Sequence, residues 1–426
     1  MEEILPLERA ARPLRYLFLD LNSYFASVEQ QEQSELRGKP VAVVPVDADT
    51  TFVIAASYPA KAFGVRCGTI VREAKAMCPG IQIIQARPPL YVSYHKRILE
   101  ALETVLPIDE VCSIDEMRFR LIGDEKKPEN ARKIAKKMKA VLAKEIGPCL
   151  TSSIGIAPNG FLAKTATEME KPNGLVTLTA DQLPHRLFDL SLTDFTGVNR
   201  KMAARLGAAG IFTAQDLCSA DRNRLHQAFG SIVGERWWYL LRGFDLSSPK
   251  TKQKTLGHSN VLSPSLRTDT GCQDILLRLI QKATARLRAE NIRAGAMLIH
   301  VKGMSRSWET RVKFQTPTQD SVIVTREFKQ AWESRNYARP LMVGVTFVDL
   351  HQSGQFTASL FDEENDRSGL NQAVDRMNQK FGKNSIYLAA VDHVKDRASE
   401  KIAFGKTWLF SEGKDDNVWM SGSVAG

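Results

Sequence analysis

No stretch of eighteen or more apolar residues occurs in the 426-residue chain, so no segment is predicted to cross a membrane as a helix. Cysteine is scarce and scattered: Cys67, Cys78, Cys112, Cys149, Cys218 and Cys272 include no CxxC pair. That spacing argues against a zinc site and a disulfide framework, and suits thiols kept in a reducing compartment. The seven histidines form no HxxxH or HxH pair either. The opening MEEILPLERAARPL carries charges of both signs and lacks the apolar core and cleavage site of a secretion signal. A cytoplasmic location is the expectation. Internal repeats and low-complexity tracts are also missing.

What is present is ordinary in bulk and uneven in charge. Hydrophobic residues make up 43% and charged residues 25%, as expected of a globular chain with several cores. Length alone suggests about three or four domains. The net charge is +10 and the sequence pI is near 9.2. Residues 256–352 hold 14 Lys and Arg against 8 Asp and Glu, so most of the excess sits in under a quarter of the chain. A localised basic module is the footprint expected of a partner with a phosphate backbone.

Along the chain, LRYLFLDLN (14–22) is a short apolar run, the pattern of a buried strand that delivers Asp20 at its end. SYFASVEQQ is predicted helical. Residues 39–46 and 52–57 read as a pair of strands, and PAKAFGV as a helix running into a glycine stop. An amphipathic helix over 91–105 precedes a strand pair at 110–123, whose corner is Ile114–Asp115–Glu116. A periodic helix (129–147) and a strand (150–157) follow. Residues 180–245 are helical and loop-rich, and the polar 247–255 is a linker. Beyond it come a helix over 272–290, strands at 296–303, 311–316 and 341–350, and a helix between the last two. A short helix is expected at 370–381. The fold class is α+β and multidomain.

If the strands ending at Asp20 and beginning near Asp115–Glu116 are neighbours, three carboxylates converge at one sheet edge. Hard oxygen ligands suit magnesium, and two such ions suit phosphoryl chemistry. The bland alternative is a solvated Asp–Glu dipeptide. Tyr58 and Lys61 lie on the strand–helix junction SYPAK, and Lys171 in the turn EKPNG. These groups could face a triphosphate opposite the metals; by composition alone the lysines are surface residues.

FLDLNSYFASVE, VIAASYPAKAFGVRCG, CSIDEM, SIGIAPNGFLAKTATEMEKPNG and FTGVNRKMAARLGAAGI occur in this order. Together they closely resemble the Y-family translesion DNA polymerases of the DinB and UmuC type, over roughly residues 14 to 350. The resemblance implies a right-handed polymerase with palm (14–23 and 88–178), fingers (24–87), a helix-hairpin-helix thumb (179–246) and a little finger (256–352). An extension (1–13) precedes these, the linker 247–255 joins thumb to little finger, and a tail (353–426) follows. It implies two catalytic Mg2+ ions, with Mn2+ a substitute, on Asp20, the Leu21 carbonyl, Asp115 and Glu116. Tyr24, Phe25, Tyr58, Lys61 and Lys171 match nucleotide contacts, and Phe25 the steric gate against a ribose 2′-hydroxyl. Primer–template DNA and deoxynucleoside triphosphates are the implied partners of a monomer that meets no membrane.

The hairpin Gly197, Val198, Asn199 and Arg200 is expected to hold a DNA phosphate on helix-start amides, with Asn199 tolerating a left-handed turn where a second glycine is usual. Lys302, Arg306, Arg311, Lys313, Arg335 and Arg339 are expected to follow the DNA backbone. Leu360 and Phe361, in TASLF, resemble a sliding-clamp peptide without its usual glutamine; local packing is the rival reading. Lys61, in place of an arginine, and Ala55 point to the UmuC branch, whereas LGHSNVLSPSLR points to DinB. Low-fidelity, distributive, non-proofreading translesion synthesis is the expected activity. A clamp-binding adaptor and a nucleotide cyclase are the rivals; the retained acids argue against the first, the thumb hairpin and basic module against the second.

Overall fold

The computed structural model describes residues 12–247, 253–352, 367–382 and 385–387, with positions 389 and 392. Within these residues the chain forms two compact units, one from residues 12–44 and 52–247, the other from residues 45–51 and the described residues from 253 onward.

The first unit begins with β1 (Tyr16–Leu21), α1 (Tyr24–Glu32), β2 (Val41–Val44), β3 (Ala55–Ala56), α2 (Tyr58–Ala62), α3 (Val71–Met77) and β4 (Gln82–Gln85). It continues through α4 (Pro88–Glu103), β5 (Ile108–Val111), β6 (Glu116–Arg120), α5 (Pro128–Val141), β7 (Ser152–Ala157), α6 (Gly160–Met169) and β8 (Leu175–Thr177). Helices α7 (Arg200–Ala208), α8 (Ala214–Ser219), α9 (Arg222–Phe229) and α10 (Ile232–Leu240) complete it.

Five strands form one sheet in the order β5-β6-β1-β7-β8. β1 lies between two antiparallel partners, and all six of its residues are buried. Alternate residues of a strand point to opposite faces. Leu17, Leu19 and Leu21 therefore enter one core with Tyr91 and Ile98 of α4 and Met138 of α5. Tyr16 and Phe18 enter a second core with Leu162 and Ala166 of α6. Asp20 falls on this second face.

The approach of α6 to the sheet depends on Gly155 of β7. A Cβ there would stand 2.0 Å from the Ala163 carbonyl oxygen and 2.7 Å from the Ala166 Cβ. Only a residue without a side chain lets the helix pack this close. Leu206, Leu217, Leu225 and Trp237 of α7–α10 join the same core as Phe18 and Leu162, so the helical segment shares its core with the α6 side of the sheet. A smaller sheet, β3-β2-β4, has its own core of Val44, Val53, Val65, Val71 and Cys78.

The second unit contains β9 (Leu256–Val261), α11 (Asp269–Ala289), β10 (Ile292–Arg306), β11 (Trp308–Thr318), α12 (Ser321–Trp332), β12 (Ala338–Gln352) and α13 (Ser368–Phe381). Its sheet is antiparallel throughout, in the order β11-β10-β12-β9. Met297, Ile299 and Val301 of β10 pack with Ile275, Leu279 and Phe328 of the helices. Arg288 grips Asp375 with two nitrogens, at 2.6 and 2.8 Å, and ties α13 to α11.

Several expected boundaries move. The strand expected over 52–57 shrinks to Ala55–Ala56, because Val53 and Ile54 bond across to Thr69 and Val43 in irregular geometry. The helix expected over 129–147 ends at Val141 and continues as a wide turn, Leu142–Ile146. Strands β4, β8 and β9 are additions. β9 exposes Gly257 and Ser259 and is an edge strand, which a search for apolar alternation overlooks. Among the described residues no helix is long and apolar enough to cross a membrane.

Candidate active site at the edge of the five-stranded sheet

Asp20 and Glu116 are cross-strand partners of β1 and β6. Partners at one register position share a face, so both carboxylates lie on the α6 side. Asp115 stands at the corner before β6, and its carbonyl accepts the Leu21 N–H at 2.9 Å. The corner is buttressed from below by His95 of α4, whose Nδ1 donates to the Ile114 carbonyl at 2.7 Å. Burial lowers the His95 pKa to about 4, so the ring is neutral at physiological pH. The Ser113 hydroxyl donates to Asp115 Oδ1 at 2.5 Å. Burial pushes the Asp115 carboxyl up to about 6; the Ser113 hydrogen bond opposes this, and the nearby Asp20 and Glu116 add to it. Leu21 ends β1 with its side chain in the core, so only its backbone belongs to the edge.

The positive charge at this edge comes first from a residue the sequence did not single out. Lys164 of α6 bonds Asp20 Oδ2, and stands 3.0 Å from Glu116 Oε1 and 3.2 Å from Glu168 Oε1. Its ammonium also lies 5.5 Å from the Phe18 ring centroid. Burial alone would lower its pKa, but Asp20, Glu116 and Glu168 together carry it upward. Lys171 joins it at 3.1 Å from Asp20 Oδ2 and 2.8 Å from Glu168 Oε1. The signal available beforehand was spacing: Lys164 and Glu168 stand four residues apart on one side of α6, and Lys171 follows in the turn just beyond its end.

The turn that carries Lys171 is pinned from two sides. Asn22 Oδ1 accepts the Asn173 N–H at 2.8 Å, and Lys139 Nζ donates to Asn173 Oδ1 at the same distance. Burial pulls the Lys139 pKa down to about 8. Tyr58 and Lys61 lie on α2, with the Lys61 ammonium 4.3 Å from the Tyr58 ring centroid. Burial lifts the Tyr58 hydroxyl to about 12, aided by Asp20 and Glu168. Burial and then Lys171 lower the Lys61 pKa. Tyr58, Lys61, Lys164 and Lys171 are thus all within electrostatic reach of Asp20 and Glu168. Tyr24 is spent elsewhere: its side chain is buried and its hydroxyl donates to the Tyr91 carbonyl at 2.6 Å. Its backbone N–H is a first-turn amide of α1, one of those a helix leaves without an internal partner.

The donor set fits magnesium, with hard carboxylate oxygens from three residues and a lysine ammonium resting between two of them as a stand-in cation. The carboxylates are turned toward Lys164, Lys171 and Ser113 rather than one common point. Accordingly, among the described residues no three acidic, histidine or cysteine groups form a ready cage.

A groove of about 360 Å³ leads from Lys164 and Glu168 to Thr193–Asn199. The hairpin there survives for a reason other than the one expected. Gly197 takes the left-handed conformation (φ +95°), whereas Asn199 is extended and caps α7, its Oδ1 accepting the Met202 N–H at 2.9 Å. Val198 is buried as its anchor, and Arg200 opens α7 on the surface.

In the second unit, the β11 alternation turns Val312 and Phe314 toward the core and leaves Arg311 and Lys313 exposed. Lys302, Arg306 and Arg339 are exposed as well. Two of the expected DNA contacts carry other duties. Arg335 holds Asp269 with two nitrogens at 2.7 Å and the Trp332 carbonyl at 3.0 Å, so it closes α11 against the end of α12. Arg311 pairs with Asp349 at 2.6 Å. Leu360 and Phe361 lie outside the described residues.

Comparison with known proteins accounts for this arrangement. Residues 19–168 match the impB/mucB/samB family and residues 253–360 its C-terminal domain. DNA polymerase IV of Moorella thermoacetica is 30% identical, over 88% of this chain and 95% of its own length. DNA polymerase IV 1 of Bacillus subtilis is 28% identical, over 93% and 97%. Among solved structures, the Y-family DNA polymerase chimera Dbh-Dpo4(243-245)-Dbh aligns over 79% of this chain and 98% of its own, with a TM-score of 0.64 at 23% identity. The insertion ternary complex of Dbh DNA polymerase aligns over 78% and 98%, with a TM-score of 0.52 at 24% identity. The relatives resolve the branch that Lys61 and Ala55 left open, and with the three acids on one sheet edge they place the chain among the DNA-directed DNA polymerases of the Y-family, in its DinB group.

Proposed function

We propose that this polymerase performs low-fidelity, distributive translesion synthesis by two-metal nucleotidyl transfer, without proofreading. The observation that supports it most is the meeting of Asp20, Asp115 and Glu116 at one strand edge opposite Tyr58, Lys61 and Lys171. Asp20, the Leu21 carbonyl, Asp115 and Glu116 would hold two magnesium ions. When bound, these supply Lewis acidity and charge neutralisation for attack of a 3′-hydroxyl on an α-phosphate.

The chain's own groups do the rest. Lys61, Lys171 and the Tyr58 hydroxyl orient the triphosphate oxygens by charge and hydrogen bonding. The first-turn amides of α1 supply further donors. Phe25, half-buried at the start of α1, blocks a ribose 2′-hydroxyl. Gly197–Arg200 holds a DNA phosphate at the start of α7, and Lys302, Arg306, Lys313 and Arg339 give sequence-independent contacts in the second unit. The protein works as a monomer, and Leu360 and Phe361 seat it on a sliding clamp.

The test is primer extension with magnesium. Asp115→Ala is expected to lower the rate by about three orders of magnitude or more while the protein stays folded. Extension at the wild-type rate would remove the carboxylate assignment.

A further inference from the structure

Phe25 lies stacked on Tyr91, with ring centroids 4.5 Å apart and planes 17° from parallel. The metal edge makes no use of Tyr91, yet few side chains here are held from so many directions. It is fully buried, its hydroxyl donates to Glu29 Oε1 at 2.7 Å, and its carbonyl accepts from the Tyr24 hydroxyl at 2.6 Å. Glu29 is itself a fully buried carboxylate, one helical turn after Phe25 on α1. Arg87, at the start of α4, donates to it through Nε at 3.1 Å and also through Nη2. Gln33 adds a hydrogen bond at 3.0 Å. A charge so deep is retained only when paired and fully hydrogen-bonded. The arrangement clamps α1 to α4 around one aromatic plane, and that plane carries the Phe25 ring.

We infer that Tyr91, locked by Glu29 and Arg87, is a positioning residue for sugar selection: it stops the Phe25 ring from yielding to a ribose 2′-hydroxyl. This deepens the reading of Phe25 as the gate and rests on it. A gate discriminates only as far as it resists displacement. Tyr91 covers one face of the Phe25 ring by stacking, while Tyr24 meets the ring only at a tilt, with centroids 5.7 Å apart. A stacked aromatic pair is worth roughly two- to tenfold in an equilibrium. Loss of the plane should therefore relax discrimination by up to roughly tenfold.

The experiment compares kcat/KM for ribo- and deoxynucleotide insertion in the wild type, Phe25→Ala, Tyr91→Leu and the double variant, with thermal melts as a check of folding. Tyr91→Leu is expected to raise relative ribonucleotide insertion by roughly two- to tenfold. In the Phe25→Ala background it should add nothing, because no ring is left to support. General damage to the fold would lower both insertions and would act equally in either background. Should Tyr91→Leu fail to fold, Glu29→Gln is the second variant; it keeps the shape, frees the clamp and should raise ribonucleotide insertion by a smaller factor. Discrimination unchanged in Phe25→Ala would sink the gate reading itself. Discrimination relaxed in Phe25→Ala but unchanged in the folded clamp variant, or relaxed equally in both backgrounds, would overturn only the role given to Tyr91.

Discussion

Lys164 Nζ stands 3.0 Å from Glu116 Oε1, and the same ammonium bonds Asp20 on the neighbouring strand. A lysine on α6 therefore bridges the two carboxylates that β1 and β6 bring together and offsets part of their charge, with Lys171 adding a second cation at Asp20. This explains how three acids share an edge where burial already disfavours their charge.

Lys164→Met should consequently leave Asp20, Glu116 and Glu168 short of a counter-charge. The metal-free protein is expected to lose about 2 to 3 kcal/mol of stability, as when one partner of a mostly buried ion pair is removed. Magnesium should recover more of the melting temperature in the variant than in the wild type, because it replaces the missing cation. Melting curves in chelator and in magnesium measure both effects; equal metal responses would refute the counter-ion role.

Gly155→Ala should destabilise the first unit and shift α6 together with Lys164, since the new methyl would stand 2.0 Å from the Ala163 carbonyl oxygen. The expected loss is roughly 3 kcal/mol, with primer extension falling in parallel. Gly160→Ala is the control, because a Cβ there meets only the flexible Arg118 side chain at 3.3 Å. A denaturation midpoint for Gly155→Ala equal to that of the control would refute the close-packing argument.

Acid should weaken the second unit through His258. Burial lowers its pKa to about 4 from 6.5, and Nε2 is buried with no hydrogen-bond partner among the described residues. The folded state thus binds fewer protons than the unfolded one between these values. The stability is fully present above about 6.5 and declines as pH falls toward 4, by roughly 2 to 3 kcal/mol. His95 acts in the same direction in the first unit, where the raised Asp115 carboxyl opposes it. Urea titrations at pH 7.5 and 5 should show a smaller pH effect in His258→Gln than in the wild type.

Arg335 and Lys313 should separate stability from DNA binding. Arg335→Ala breaks the exposed Asp269 pair and is expected to cost about 0.5 to 1 kcal/mol in stability, with little change in DNA affinity. Lys313→Ala should leave the melting temperature unchanged, weaken binding to any sequence and lower the salt slope by about 1. Fluorescence anisotropy over a salt series distinguishes them. An unchanged slope for Lys313→Ala would remove that residue from the DNA contacts.

The hairpin and the basic module show where reading residues in order stops short. Asn199 looked like a left-handed position and is instead an extended helix cap, while the left-handed residue of the turn is Gly197. Arg335 looked like one basic residue among six; only the partner that folding brings to it, Asp269 from 66 positions earlier, shows that its fork is occupied.

Asp20 was readable from sequence because local physics placed it: an apolar run must be a buried strand, and a strand delivers alternate residues to opposite faces. Asp115–Glu116 were readable as a corner for the same reason, and the ordered motifs indicated the family. Strand pairing then decided what no local pattern contains. The register sets Asp20 against Glu116, and the missing side chain at Gly155 lets α6 approach closely enough to carry Lys164 between them. The stacking of Phe25 on Tyr91, 66 residues away, is likewise tertiary. Charge compensation and ring support are contacts between distant segments, so they exist only once the chain has folded.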